Sequence, residues 1–243
     1  MTTEGLQAGI LLPAFAAGLL VLLTHVPLGM QVLKRGIIFI DLAVAQFAGF
    51  GIVAAHALGA ERHGWQMQAA ALAAALAGAL FLRWREKRNP EHQEAIIGVS
   101  FVAAACATIL VLAKDPHAGE HMKELLVGQI LWTTWHGLAP LAIVTAAVLA
   151  LRRWTRTSPL AFYLAFAFAI TASVQVVGVY LVFASLIVPA LAARGRPMPG
   201  FVVGVAGYAA GLLASALFDL PAGAAIVIGL ILAAVPMRLR PAS

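Results

Sequence analysis

Apolar residues in this chain do not alternate with polar ones. They run together in uncharged tracts separated by short islands of charge: Leu6–Leu33, Gly36–Gly59, Trp65–Leu82, Ala95–Ala113, a part of Leu125–Leu151, Pro159–Ala193, Met198–Phe218 and Leu220–Met237. A helix rises about 1.5 Å per residue, so roughly 20 apolar residues cross a hydrocarbon layer of about 30 Å. Each tract therefore predicts a membrane-spanning helix. Pro159–Ala193 is too long for one crossing, since it would extend about 52 Å if helical throughout. Gly178 is the natural break in it, and Pro189 disturbs its second half. It reads as two spans, the second short or re-entrant. The pattern predicts an all-α polytopic bundle of about eight to nine transmembrane helices in one domain, residues 1–243.

Composition agrees: the 243 residues are 62% hydrophobic and only 11% charged, with a mean hydropathy of +0.94. A soluble domain carries about 25% charged residues. The net charge of +6 and pI near 10.1 raise the possibility of nucleic acid, but the cations lie between spans, where they set orientation. With nine crossings, one side receives Lys34, Arg35, Arg83, Arg85, Lys87, Arg88, Arg152, Arg153, Arg156, Arg194, Arg196, Arg238 and Arg240. The other receives only Arg62, Lys114 and Lys123. This asymmetry predicts the N-terminus outside and the C-terminus inside. Basic loops on both flanks of Pro159–Ala193 require that tract to cross an even number of times.

Met1–Leu6 has no Lys or Arg, so the first tract reads as an anchor rather than a cleaved signal. The single cysteine, Cys106, excludes an internal disulfide and reads as a small core residue. The pairs Gly200–Gly204 and Gly207–Gly211 predict close helix packing. The chain contains no Gly-rich Lys-Ser/Thr loop for nucleotide phosphates. Active transport would need a partner or an ion gradient.

Asp41 is the most informative residue, because an ionisable group within a span usually faces a protected interior or a polar path. It lies about 8 Å past Gly36 if the helix starts there. His25, in the first span, can meet it from the antiparallel helix, and carboxylate with imidazole suits a zinc-like cation. The rival reading pairs Asp41 with Lys34 or Arg35 and leaves His25 as packing. Gln46 is a poor metal ligand and reads as a helix-to-helix hydrogen bonder. The predicted topology places His56, His63, His117, His121 and His136 at the outer face. Among them His117-x-x-Glu120-His121, with Glu124 a turn on, puts both imidazoles on one helical face. Metal contact, a solvated interfacial helix and, least of all, a metalloprotease fit that spacing. Asp219-Leu220-Pro221 reads as a helix start.

Four stretches in order resemble the membrane permease subunits of the ATP-binding-cassette importers for zinc, manganese and iron. They are Pro27-Leu28-Gly29 with Lys34-Arg35 and the Ile37–Ala55 span; Glu124–Leu131; Val177-Gly178-Val179 through Val188-Pro189-Ala190; and Phe218–Val227. The resemblance implies a permease of the bacterial cytoplasmic (inner) membrane with no covalent chemistry and no permanently bound cofactor. Its cargo would be a divalent ion: zinc, manganese or iron. It further implies an ATP-binding subunit at the cytoplasmic face, an extracytoplasmic metal-binding protein, and assembly as a homodimer or with a sister permease. Gly178 and Pro189 would then mark the rocking elements. Two departures stand out. Where the family pattern has Asp-x-x-x-His, Gln46 occupies the His position and Asp41 lies five residues before it, about 140° around a helix. The loop Arg152–Ser158 is short and lacks the family's Asp-Pro-x-x-Ala…Gly docking sequence. A permease-like interaction protein without an ATPase therefore remains the second reading.

Overall fold

The structure, a computed structural model, describes residues 3–60, 64–88, 90–113 and 126–239. Among these residues the regular elements are helical, with no strand. They are α1 (Thr3–Arg35), α2 (Ile40–Ala57), α3 (Trp65–Arg88), α4 (Gln93–Leu112), α5 (Ala139–Ala150), α6 (Arg152–Thr157), α7 (Pro159–Ala193), α8 (Pro197–Phe218) and α9 (Ala222–Leu239). Single 3-10 turns occupy Pro90–His92, Ile130–Trp132 and His136–Leu138. Six stretches are long and apolar enough to cross a membrane: Gly9–Arg35, Ile40–Ala57, Trp65–Arg88, Pro90–Leu112, Pro159–Ala193 and Pro197–Phe218. Two apolar helices, His136–Ala150 and Ala222–Pro236, are shorter.

α7 is the axis of the bundle. The apolar window of this span is 72% buried, against 28% for those of α3 and α4. Its start is fixed locally: Pro159 occupies the first turn and the Ser158 hydroxyl accepts the Ala161 N–H at 3.3 Å, which satisfies a donor the helix cannot. At Gly178 the backbone takes φ 77°, ψ 165°, a region essentially reserved for glycine. The run folds back there. A straight helix would hold its two ends about 50 Å apart, yet Arg156 before it and Gly195 after it line one cavity. The helix runs on through Pro189, whose carbonyl lies 2.6 Å from where a Cβ on Gly200 would stand.

The chain from Leu126 to Gln129 is non-helical beyond Val127 and lies against the fold-back. The Gln129 N–H donates to the Val176 carbonyl at 3.3 Å, a group freed by the break. A Cβ on Gly178 would strike the backbone of Val127 and Gly128, and one on Gly223 would stand 2.7 Å from the Val127 carbonyl. Irregular backbone at membrane depth survives only when protein covers it, and here three glycines let the covering backbones approach. The glycines of α8 serve the same purpose: Gly204 meets Leu22 of α1, while Gly207 and Gly211 meet Leu230 and Ile226 of α9.

Three sequence expectations change. The second span starts at Ile40, because Gly36, at φ +68°, ends α1 and Phe39 forms the N-cap of α2. Asp219 does not open α9; it closes α8 in the left-handed conformation, with its N–H on the Ser215 carbonyl. Cys106 is exposed on the outward face of α4 rather than packed in the core, an inexpensive position when the surroundings are lipid.

Candidate metal site

The late start of α2 makes Asp41 its second residue, in the first turn, where free backbone N–H groups favour an anion. Packing of α3, α4 and α7 around α2 shields that turn. Asp41 is 1% exposed, and no side chain donates to its carboxylate; only the backbone N–H groups of its own turn, Asp41 and Leu42, face it. Holding a carboxylate away from water without a partner costs several kcal/mol as the anion, ~3 or more. A cation brought to it would offset that cost.

The neighbouring cations are committed elsewhere. Arg35 pairs with Glu86 of α3 at 3.6 Å and lies 4.4 Å from the centre of the Phe162 ring. Lys34 opens onto a separate cavity. The interfacial pairing of Asp41 with Lys34 or Arg35 is therefore not made.

Other polar atoms gather near the start of α2. Glu94 of α4 accepts the Phe39 N–H through Oε1 at 3.2 Å, and the Ile38 N–H also faces its carboxylate. Beside it the Gln93 amide donates to the Leu82 carbonyl at 2.9 Å and to the Tyr163 hydroxyl at 3.4 Å. Glu94 was not singled out in the sequence, where it sits in a polar island between spans. The signal that could have found it is its place at the very start of an apolar run, within reach of the preceding hairpin.

His25 does not join Asp41. α1 and α2 form no packed interface; α7 packs against both. The His25 ring is fully buried, its Nδ1 2.9 Å from the Val21 carbonyl and 2.9 Å from Thr24 Oγ1, and its Nε2 is without a partner. The antiparallel meeting expected from sequence fails because α1 and α2 do not pack and His25 lies ten residues, about 15 Å, before the end of α1, whereas Asp41 opens α2. Gln46, 7% exposed, is buried on α2 with Asp41 despite their angular separation, since α2 is covered on several sides. His117, Glu120 and His121 lie outside the described residues, as do His63 and Glu124. His56 ends α2, and His136 is exposed in the turn before α5. Among the described residues no group of three or more His, Cys, Asp or Glu side chains could hold a metal ion. Asp41 thus lacks the companions that would cage a metal ion among the described residues.

The sequence pattern of the ABC 3 transport family matches residues 7–158 and 153–239. No curated protein sequence matches the chain. Among solved structures the chain is similar in fold to PsaBC from Streptococcus pneumoniae in complex with Fab, with a TM-score of 0.77 at 18% identity, covering 99% of this chain and 97% of that one. It also resembles an inward-facing ABC transporter described as of metal-chelate type, with a TM-score of 0.57 at 13% identity over 95% of this chain and 78% of the other.

Proposed function

The chain belongs to the ABC 3 transport family, and on that premise we propose that it is the permease subunit of an importer for a divalent metal ion, zinc, manganese or iron. Membership makes it a multi-pass membrane transport subunit rather than the ATPase. The observation that carries the cation reading is Asp41, a buried carboxylate that no side chain pairs. In this reading the ion, as cargo, reaches Asp41 after losing water, and the carboxylate replaces part of the lost hydration. The fold-back of α7 and the two shorter apolar helices support eight to nine passes, with the basic loops, and the C-terminus, on the cytoplasmic side of a bacterial inner membrane. An ATP-binding subunit would act at that face, a metal-binding protein at the other, and a second permease would complete the path. Rocking would centre on Gly178 and the Pro189 arm, with His117, Glu120 and His121 receiving the ion outside.

Metal uptake into cells or proteoliposomes tests the reading. Asp41→Asn should lower uptake by about tenfold or more while the protein still reaches the membrane. Unchanged uptake removes Asp41 from the path. A second reading, a permease-like protein without an ATPase, is favoured by the size of α6, six residues where the family has a longer docking loop. Failure to co-purify an ATP-hydrolysing subunit in mild detergent would select it.

A further inference from the structure

A cavity of about 680 Å³ opens between the end of α1, the α5–α6 corner and the start of α8. Lys34, Arg35, Arg152 and Arg156 line its mouth, and no acidic residue lines it. Arg35 is partly engaged by Glu86, but Lys34, Arg152 and Arg156 have no acidic partner among the described residues. Below the mouth the wall turns apolar: Leu23, Pro27 and Met30 follow one face of α1, opposite Phe201 of α8. From Lys34 to Leu23 this face descends about 16 Å along the helix.

We infer that the cavity is a binding site for an anionic phospholipid, the phosphate held by Lys34, Arg152 and Arg156 and an acyl chain lying along the Leu23–Met30 face. Three cations without an acidic partner among the described residues, Lys34 at the end of α1 and Arg152 and Arg156 on α6, attract phosphate. The apolar descent is what selects an amphiphile: a free phosphate, or an acidic surface of another protein, would use the mouth and leave the descent unfilled. The site is independent of Asp41, which does not line the cavity. Arg153, next to Arg152 but outside the lining, carries the same charge and serves as the control.

The test uses the full chain in neutral detergent, titrated with phosphatidylglycerol or phosphatidylcholine, with bound lipid counted by native mass spectrometry. Phosphatidylglycerol should be retained and phosphatidylcholine lost, and millimolar inorganic phosphate should not displace the lipid. The triple substitution Lys34→Gln, Arg152→Gln, Arg156→Gln should weaken retention roughly tenfold or more, Arg156→Gln alone by a smaller factor, and Arg153→Gln not at all. Equal retention of both lipids, or displacement by inorganic phosphate, would overturn the assignment. So would a triple variant that keeps phosphatidylglycerol but no longer holds an ATP-binding subunit, which would make the cavity a docking surface.

Discussion

The seam where Gly128, Gly178 and Gly223 meet and the seam at the start of α2 are both buried, yet they follow opposite rules. In the first, backbone meets backbone, a Cβ on Gly128 or Gly178 would collide with the facing main chain, and the carbonyl freed at the break is taken up by Gln129. In the second, the carboxyl groups of Asp41 and Glu94 meet only backbone N–H groups, and Oε1 of Gln93 is enclosed without a partner. Lipid offers helices no hydrophobic reason to associate, so close contact between small residues is what holds such a bundle together. Unmade polar bonds work against that. The difference separates a joint that must hold from a place where, on the proposed function, a cation would pass.

The sharpest way to break the comparison is to put a side chain into the glycine seam. Gly178→Leu meets two costs together: an L-residue in a conformation it rarely adopts, and collision with the backbone of Val127 and Gly128. We expect a loss of about 3 kcal/mol or more, read as reduced yield and a lower melting temperature in detergent. A protein that melts as the parent does would mean that the seam is loose.

Asp41→Asn attacks the other side. Exchanging a buried carboxyl that no side chain pairs for an amide of the same shape should leave stability unchanged or raise it by about 1 kcal/mol, whereas metal uptake is expected to fall as set out above. Stability and transport thus move apart at Asp41 and together at Gly178. If Asp41→Asn instead destabilises the protein strongly, its carboxylate is a structural group and the contrast between the seams disappears.

Gly223→Ala probes the tight seam at its edge. The added methyl would stand 2.7 Å from the Val127 carbonyl, close enough to force a small shift. A loss of about 1–2 kcal/mol is expected, again by thermal melting, with uptake lowered only in proportion to folded protein.

Much of the frame could be read from residues. The charge islands delimit the spans, and the length of Pro159–Ala193 together with Gly178 locates the fold-back. The glycine spacing of α8 foretells its close contacts. What could not be read is which helices become neighbours. His25 and Asp41 stand on consecutive spans, and a sequence gives no sign that α1 and α2 will each pack on α7 rather than on one another. Glu94 has no periodic partner near it in the chain, since its bond to Phe39 is a product of α4 reaching the hairpin. Asp219 precedes a proline, as helix starts often do, yet the left-handed turn it occupies belongs to the helix before it. Loss of solvent around α2 is likewise a tertiary event: it depends on α3, α4 and α7 together.

The smallest effect belongs to the ion pair between Arg35 and Glu86. Arg35 and Glu86 are 3.6 Å apart, with side chains 23% and 24% exposed, so water and salt share in neutralising them. Such a pair contributes about 0.5–1 kcal/mol at most. Arg35→Gln should lower the melting temperature slightly and less so at high salt. It also asks whether Asp41 is insulated from its neighbour in sequence. If the start of α2 is a closed station shielded by α3, α4 and α7, releasing Glu86 should leave uptake unchanged. A large fall in uptake would mean that the Arg35 charge holds the two acids apart in function. The polar seam would then extend from Asp41 through Glu94 to Glu86, and its contrast with the glycine seam would concern a chain of carboxylates rather than one.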